Sequence, residues 1–260
     1  MAKVKDILSA LETFAPYSLK MDFDNVGLLA GFTGRDVDRL IVTLDITDAV
    51  IEEAIREKAQ LIVSHHPLFF SLKSVTDADR TGRKLTALLT SGISAICMHT
   101  NLDAAAGDAL AAAAGLTNPA ILRDEVFNAG IPYSYGRVGT LISPTALPEY
   151  LEFLKKNLGT GGLRYHDAGR AVYKVATVGG SGGDYLADAV RLGCDTLLTA
   201  DVKYDVFLEA REAGVNLIDG DHFCTENVMT PILENKLKTL FPEARTTISR
   251  VHGQTAHFYM

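Results

Sequence analysis

The stretch RLIVTLDITDAVIEEAIREKAQLIVSHHP (39–67) decides the fold. Its opening run, RLIVTLD (39–45), is compact and apolar and suits a buried strand. Thr47 or Asp48 can cap the helix that follows, where Val50, Ile51, Ala54, Ile55 and Lys58 make one face. LIVS (61–64) reads as a second buried strand, stopped by His65-His66-Pro67. The same cadence continues downstream. RTGRKLTALLTS (80–91) reads as a helix and ISAICMHT (93–100) as a third strand. Asp103 to Ala114 is Ala-rich and helical, with Gly115 as its stop. Upstream, Val4, Ile7, Leu8, Leu11 and Phe14 repeat at helical spacing over residues 3–15.

A second series begins near residue 134. YGRVGTLI is a strand, LPEYLEFLKKNLG a helix, RAVYKVATVGG a strand and DYLADAVRLG a helix. TLLTAD, VFLEAREAG and VNLIDGD continue as strand, helix and strand. TENVMTPILENKLKTLF is a helix, and TTISRVHGQTAHFYM (246–260) a terminal strand region. Strand–helix alternation predicts an α/β fold with a mainly parallel sheet. The two series predict two α/β lobes, 1–125 and 126–260, joined by a linker over roughly 118–134 that contains Pro119, Gly130 and Pro132.

The 260 residues are 47% hydrophobic and 22% charged, so the chain can bury a sizeable core without covalent staples. Twenty-five Lys and Arg against 32 Asp and Glu, with no basic run, argue against a general nucleic-acid binder. Three scattered cysteines, Cys97, Cys194 and Cys224, form no CxxC pair and fit a reducing compartment. The N-terminus lacks the apolar core of a signal peptide, and no apolar stretch of about 20 residues occurs. The expected location is cytoplasmic, away from membranes.

Chemistry-bearing residues gather where the predicted strands end, the edge at which α/β sheets bind ligands. Neighbours on a regular strand point to opposite faces, so His65 and His66 can share a site only where the chain leaves the strand, and Pro67 enforces that exit. The plainer reading is a loop with two surface histidines. His222 and Glu226 lie four apart in DHFCTEN, on one side of a helix if one starts there. An imidazole and a carboxylate so placed are a common metal-ligand pair, or else an acid favouring the helix dipole beside a solvated histidine. Cys224 lies about 200° around that helix from His222 and is not expected as a ligand. Asp103, or Asn101, could simply cap the Ala-rich helix. His99 could serve in acid–base chemistry or be a hydrogen-bonded core histidine. GGSGGD (179–184) is either a phosphate-binding nest or a tight strand-to-helix turn. Lys203 and Tyr204 follow a strand and could touch an anionic substrate.

DNVGL (24–28), SHHPLFF (64–70), HTNLDAA (99–105), GGSGGD, LLTADVKY (197–204) and DGDHFCTEN (219–227) occur in this order. Together they resemble the Nif-three-like dinuclear-metal family, also called GTP cyclohydrolase I type 2 homologues, from about residue 5 to the C-terminus. The resemblance implies a Nif-three-like fold of two interlocked α/β lobes with mainly parallel or mixed sheets, and the short linker leaves no room for an inserted domain. It also implies two divalent metal ions per chain, held by His65, His66, Asp103, His222 and Glu226, and a toroidal homohexamer. The chain departs from the family pattern where a Trp usually precedes DNVGL, here Met21-Asp22-Phe23. It departs again at Asp205, where a His often follows DVKY.

Five such ligands do not fill the coordination of two ions, so water must complete it, which is the mark of a catalytic site. Hydrolysis is the natural reaction class. A GTP cyclohydrolase reaction would add water at C8 of guanine and release formate, with His99 as proton shuttle. Mixed imidazole and carboxylate ligands suit Zn, Fe or Mn. Two other readings stand beside this one: a metal-binding ring with a regulatory or interaction role and no turnover, and a phosphodiesterase-like activity on generic substrates.

Overall fold

The computed structural model describes residues 2–259. The chain divides into two compact units, each discontinuous in sequence: residues 1–105 with 230–253, and 106–229 with 254–260. The division differs from a cut at 125/126 because the last helix and strand, expected in the second lobe, belong to the first unit.

The first unit is built on a five-stranded sheet. Its order is Arg245–Ile248, Arg39–Thr43, Leu61–Ser64, Ser94–Cys97, Gly27–Ala30. The first four strands are parallel, and Gly27–Ala30 closes the edge antiparallel. The three parallel strands read from the sequence are fully buried apart from Arg39, as expected for strands covered on both faces. Helix Asp48–Arg56 starts where Thr47 Oγ1 accepts the Val50 amide at 3.2 Å. Helix Arg80–Thr90 starts where Asp79 accepts the Gly82 amide at 2.8 Å. Val50, Ile51, Ala54, Leu85 and Leu88 from these helices pack on Ile41, Ile62 and Ala95 of the sheet. Each buried Val, Leu or Ile among them contributes about 1.5–3 kcal/mol by leaving water. The expected terminal strand is shorter than 246–260: it spans Arg245–Ile248, and Met260 lies outside the described residues.

The second unit has a six-stranded mixed sheet, ordered Arg164–His166, Asn216–Asp219, Thr196–Ala200, Val172–Ser181, Gly136–Thr145, Thr117–Ile121. The strands 172–181, 196–200 and 216–219 run parallel; the others add antiparallel. Helices Asp108–Ala113 and Leu147–Leu158 bring Leu110, Ala111, Leu147, Tyr150 and Leu154 onto Val175, Leu198 and Ile218. The buried Tyr150 hydroxyl donates to the Ala114 carbonyl at 2.9 Å. The predicted linker is not a linker. Thr117–Ile121 is an edge strand on Gly136–Thr145, and Val126–Asn128 with Ile131–Tyr133 forms a hairpin turning at Ala129-Gly130, both at positive φ. The Ala-rich helix is also two, Thr100–Ala106 and Asp108–Ala113, broken at Gly107.

Candidate metal centre

Register in the first unit's sheet places the chemistry. Thr43 pairs with Ser64, and Ser64 with Cys97, so three parallel strands end level. The residues just beyond them, Asp45, His65-His66 and His99, therefore meet at one carboxyl edge. The ladder continues into the turn, with His65 and His66 amides donating to the Thr43 and Leu44 carbonyls. The Ser64 hydroxyl donates to the His66 carbonyl at 2.8 Å and fixes the exit from the strand. The two rings then lie 5.1 Å apart, and the His99 ring stands 5.2 Å from His65 and 5.6 Å from His66. Ligand atoms of His65, His66 and His99 fall within 4.8 Å of one another. Asp103 sits one helical turn past His99, its amide donating to the His99 carbonyl, and its Oδ1 lies 3.6 Å from His65 Nε2. The capping expectation fails for both Asp103 and Asn101. The helix starts at Thr100, and the Asn101 amide nitrogen donates instead to the Ala15 carbonyl at 2.7 Å.

Each of these histidines is held from behind. His65 Nδ1 donates to the Met98 carbonyl at 3.0 Å, which can only accept. His66 Nδ1 donates to Asp45 Oδ1 and His99 Nδ1 to Asp24 Oδ1, both at 2.8 Å. Asp24 is buried, which alone would raise its pKa. The bonds from His99 and Thr100 outweigh burial and bring it down to about 2, so it stays a carboxylate. With the Nδ1 proton committed, Nε2 of each ring is the nitrogen that can carry a lone pair to a metal, the arrangement that orients metal-binding imidazoles.

The second unit repeats the device. Strand Thr196–Ala200 ends at Asp201, and strand Asn216–Asp219 leads to Asp221, which caps helix His222–Glu226 by accepting the Cys224 amide at 3.1 Å. Both aspartates sit at positive φ. His222 Nδ1 donates to Asp201 Oδ2 at 2.7 Å, and Nε2 faces Glu226 Oε2 at 3.1 Å. The bond with Glu226 outweighs burial and, with Asp201, lifts the His222 pKa to about 9. Cys224 is buried, and burial raises its thiol pKa to about 11. The glycine run is the floor beneath this pair. Gly180, at φ +61°, is so close that a Cβ there would stand 2.3 Å from Glu226 Oε1. The Gly180 amide donates to Thr225 Oγ1 at 3.2 Å and the Gly182 amide to Thr199 Oγ1 at 2.8 Å. Of the two readings of GGSGGD the turn holds, and these two amides are committed within the protein. Lys203 and Tyr204 open helix Tyr204–Ala213, both exposed.

Two nitrogen or oxygen donors on one ion, each about 2.0–2.2 Å from it, stand roughly 3.0–3.6 Å apart at octahedral to tetrahedral angles. The His222–Glu226 and His65–Asp103 separations, 3.1 and 3.6 Å, fit that range. Asp24, Asp45 and Asp201, which orient the imidazoles, were not singled out from the sequence. Asp45 and Asp201 each follow a strand at the ligand-binding edge, a signal that was present.

Two α/β units with imidazoles and carboxylates at their strand ends define a class of protein capable of binding divalent metal. Within that class the chain belongs to the Duf34/NIF3 (NGG1p interacting factor 3) family, whose sequence profile matches residues 2–255. It is 37% identical over 232 residues to a GTP cyclohydrolase 1 type 2 homolog of Clostridium perfringens, covering 86% of this chain and 87% of that one. It is 34% identical over 244 residues to a namesake from Clostridium acetobutylicum, covering 91% and 90%. A Bacillus cereus protein related to NIF3 shares the fold at a TM-score of 0.93 and 22% identity, over 100% of this chain and 99% of that one. Among the described residues no helix is long and apolar enough to cross a membrane.

Proposed function

We propose that this protein is a metal-dependent hydrolase acting on a nucleotide, of the GTP cyclohydrolase type 2 kind. His65, His66 and Asp103 of the first unit and His222 and Glu226 of the second would hold two divalent ions, Zn, Fe or Mn. The observation that carries the reading is the backing of His65, His66, His99 and His222 at Nδ1, which turns four Nε2 atoms into oriented donors. When bound, the ions would supply Lewis acidity and a water acidic enough to attack at neutral pH. His99, held by the buried Asp24 carboxylate, takes up and returns a proton at Nε2. Asp103 and Glu226 are the carboxylates that face Nε2 of His65 and of His222. Lys203 and Tyr204 are assigned to the anionic part of the substrate. The curated relatives' names support a nucleotide substrate, the family resemblance a homohexameric ring, and the scattered, unpaired cysteines a cytoplasmic location.

The test is metal analysis of the purified protein by mass spectrometry, paired with GTP turnover. About two ions per chain, with formate released only by the loaded protein and both lost in His65→Ala, is the expected result. Ions without turnover of any nucleotide would replace the enzyme with a metal-binding ring of regulatory role. A protein that takes up no metal would overturn the ligand assignment.

A further inference from the structure

Beside the histidine cluster of the first unit stand two aromatic rings left in water. Phe23 is 63% exposed and Phe70 54% exposed. They touch in a tilted contact, ring centroids 5.9 Å apart, and the Phe70 ring lies 5.9 Å from that of His99. They come from different loops. Phe23 immediately precedes Asp24, the carboxylate that holds His99, and Phe70 follows the His65-His66-Pro67 turn. The Asn25 side chain ties the loops together by donating to the Phe69 carbonyl at 2.9 Å. Each ring is thus fixed through its neighbours to the elements that position the imidazoles. Two large apolar side chains held so near a polar cluster, yet uncovered by their own unit, mark a binding surface rather than a stray exposed residue.

We infer that Phe23 and Phe70 form the ring-binding part of the site and take a planar nitrogen heterocycle, such as a purine base. The rings contact each other, so nothing slots between them; the ligand lies across their outer faces. A heterocycle stacked there has its edge directed along Phe70 toward His99, bringing ring nitrogens and carbonyls within reach of the imidazoles. Aromatic faces recognise bases of any sequence of substituents because every base has a π-face, so the pair supplies affinity for the ring while polar groups elsewhere select it. The inference rests on reading the histidine cluster as a reaction centre, and it accounts for a feature that metal binding alone leaves idle.

The experiment is calorimetric titration of the metal-loaded protein with guanosine and, separately, with ribose 5-phosphate. Phe23→Ala/Phe70→Ala is compared with Phe23→Tyr/Phe70→Tyr, which keeps both π-faces. Both substitutions are at exposed positions and leave the core intact. The expected result is about a tenfold or greater loss of guanosine affinity in the alanine variant, recovery in the tyrosine variant, and unchanged bound metal and ribose 5-phosphate affinity. Guanosine affinity that is indifferent to the alanine changes overturns the inference, as does a wild-type protein that holds its metal and binds no guanosine. A fall in oligomeric state in the alanine variant also overturns it, since the rings would then be a contact between copies. Guanosine bound through the two rings by a protein that takes up no metal would sustain the ring site while removing the hydrolase reading.

Discussion

Replacing Gly180 by alanine separates the cost of folding from the cost to the site. At φ +61° an L-residue adopts a left-handed conformation, which carries a penalty of about 1–2 kcal/mol. For a chain of this size that lowers the melting temperature by roughly 2–8 °C. The new methyl also stands 2.3 Å from Glu226 Oε1 and 3.3 Å from His222 Cε1. Ordinary contact needs about 3.5 Å, so the carboxylate must retreat by roughly 1 Å. Glu226 is only 5% exposed and has little space in which to retreat without turning away from His222. Displacing the carboxylate proposed as a ligand by that distance should cost roughly 10–100-fold in metal affinity, comparable to the loss of an orienting partner. The neighbouring Gly179 provides the control: its Cβ would meet Glu226 Cγ at 3.6 Å, an ordinary contact, without a positive φ. Thermal melts and chelator-competition titrations of both variants read the two costs independently. Gly180→Ala should lose stability and affinity, and Gly179→Ala neither. Wild-type metal affinity in Gly180→Ala, or equal losses in both variants, would refute the idea that the glycine run is there to admit Glu226.

Asp24 makes stability depend on pH in a stated direction. Its pKa is near 2 in the folded chain against 3.8 when unfolded, so its contribution, about 2 kcal/mol, is complete above pH 3.8 and fades as pH falls through 2. Urea unfolding should show the gap between wild type and Asp24→Asn narrowing from about pH 4 to about pH 2, and a constant gap would count against this. Glu53, buried in helix Asp48–Arg56, accepts from the Ser249 hydroxyl and the Arg250 amide, and His252 in turn accepts the Leu44 amide at 3.3 Å. Glu53→Ala should cost about 1–3 kcal/mol and speed hydrogen exchange at Leu44; unchanged exchange there would mean that segment 249–252 is held by something else.

The strands that carry the site were legible because burial on both faces leaves an unbroken apolar run, as in LIVS before His65-His66 and TLLTA before Asp201. Spacing of four likewise placed His222 and Glu226 on one face of a helix. What escaped was non-local. Gly27–Ala30 and Arg164–His166 are short edge strands whose pairing depends on partners far along the chain. The stretch 118–134 looked like a linker because Pro and Gly dominate its pattern, yet Pro119 is tolerated in the edge strand Thr117–Ile121. The partners of the histidines escaped for the same reason: Asp24 lies 75 residues from His99, and only the sheet brings them together. Asp103 had a cap's credentials, but the helix starts at Thr100 and leaves it within the first turn rather than at the cap.

The strand Arg245–Ile248 lies beside Arg39–Thr43, about two hundred residues earlier in the chain. During synthesis at roughly 5–20 residues per second, the earlier strand waits about 10–40 s for its neighbour. Throughout that interval Leu40, Ile41 and Val42 border an open sheet edge, the kind of surface that recruits stray strands. The first unit is begun first and completed nearly last, so its maturation is governed by elongation and by protection of that edge. A ribosome pause between residues 100 and 245 would lengthen the exposure.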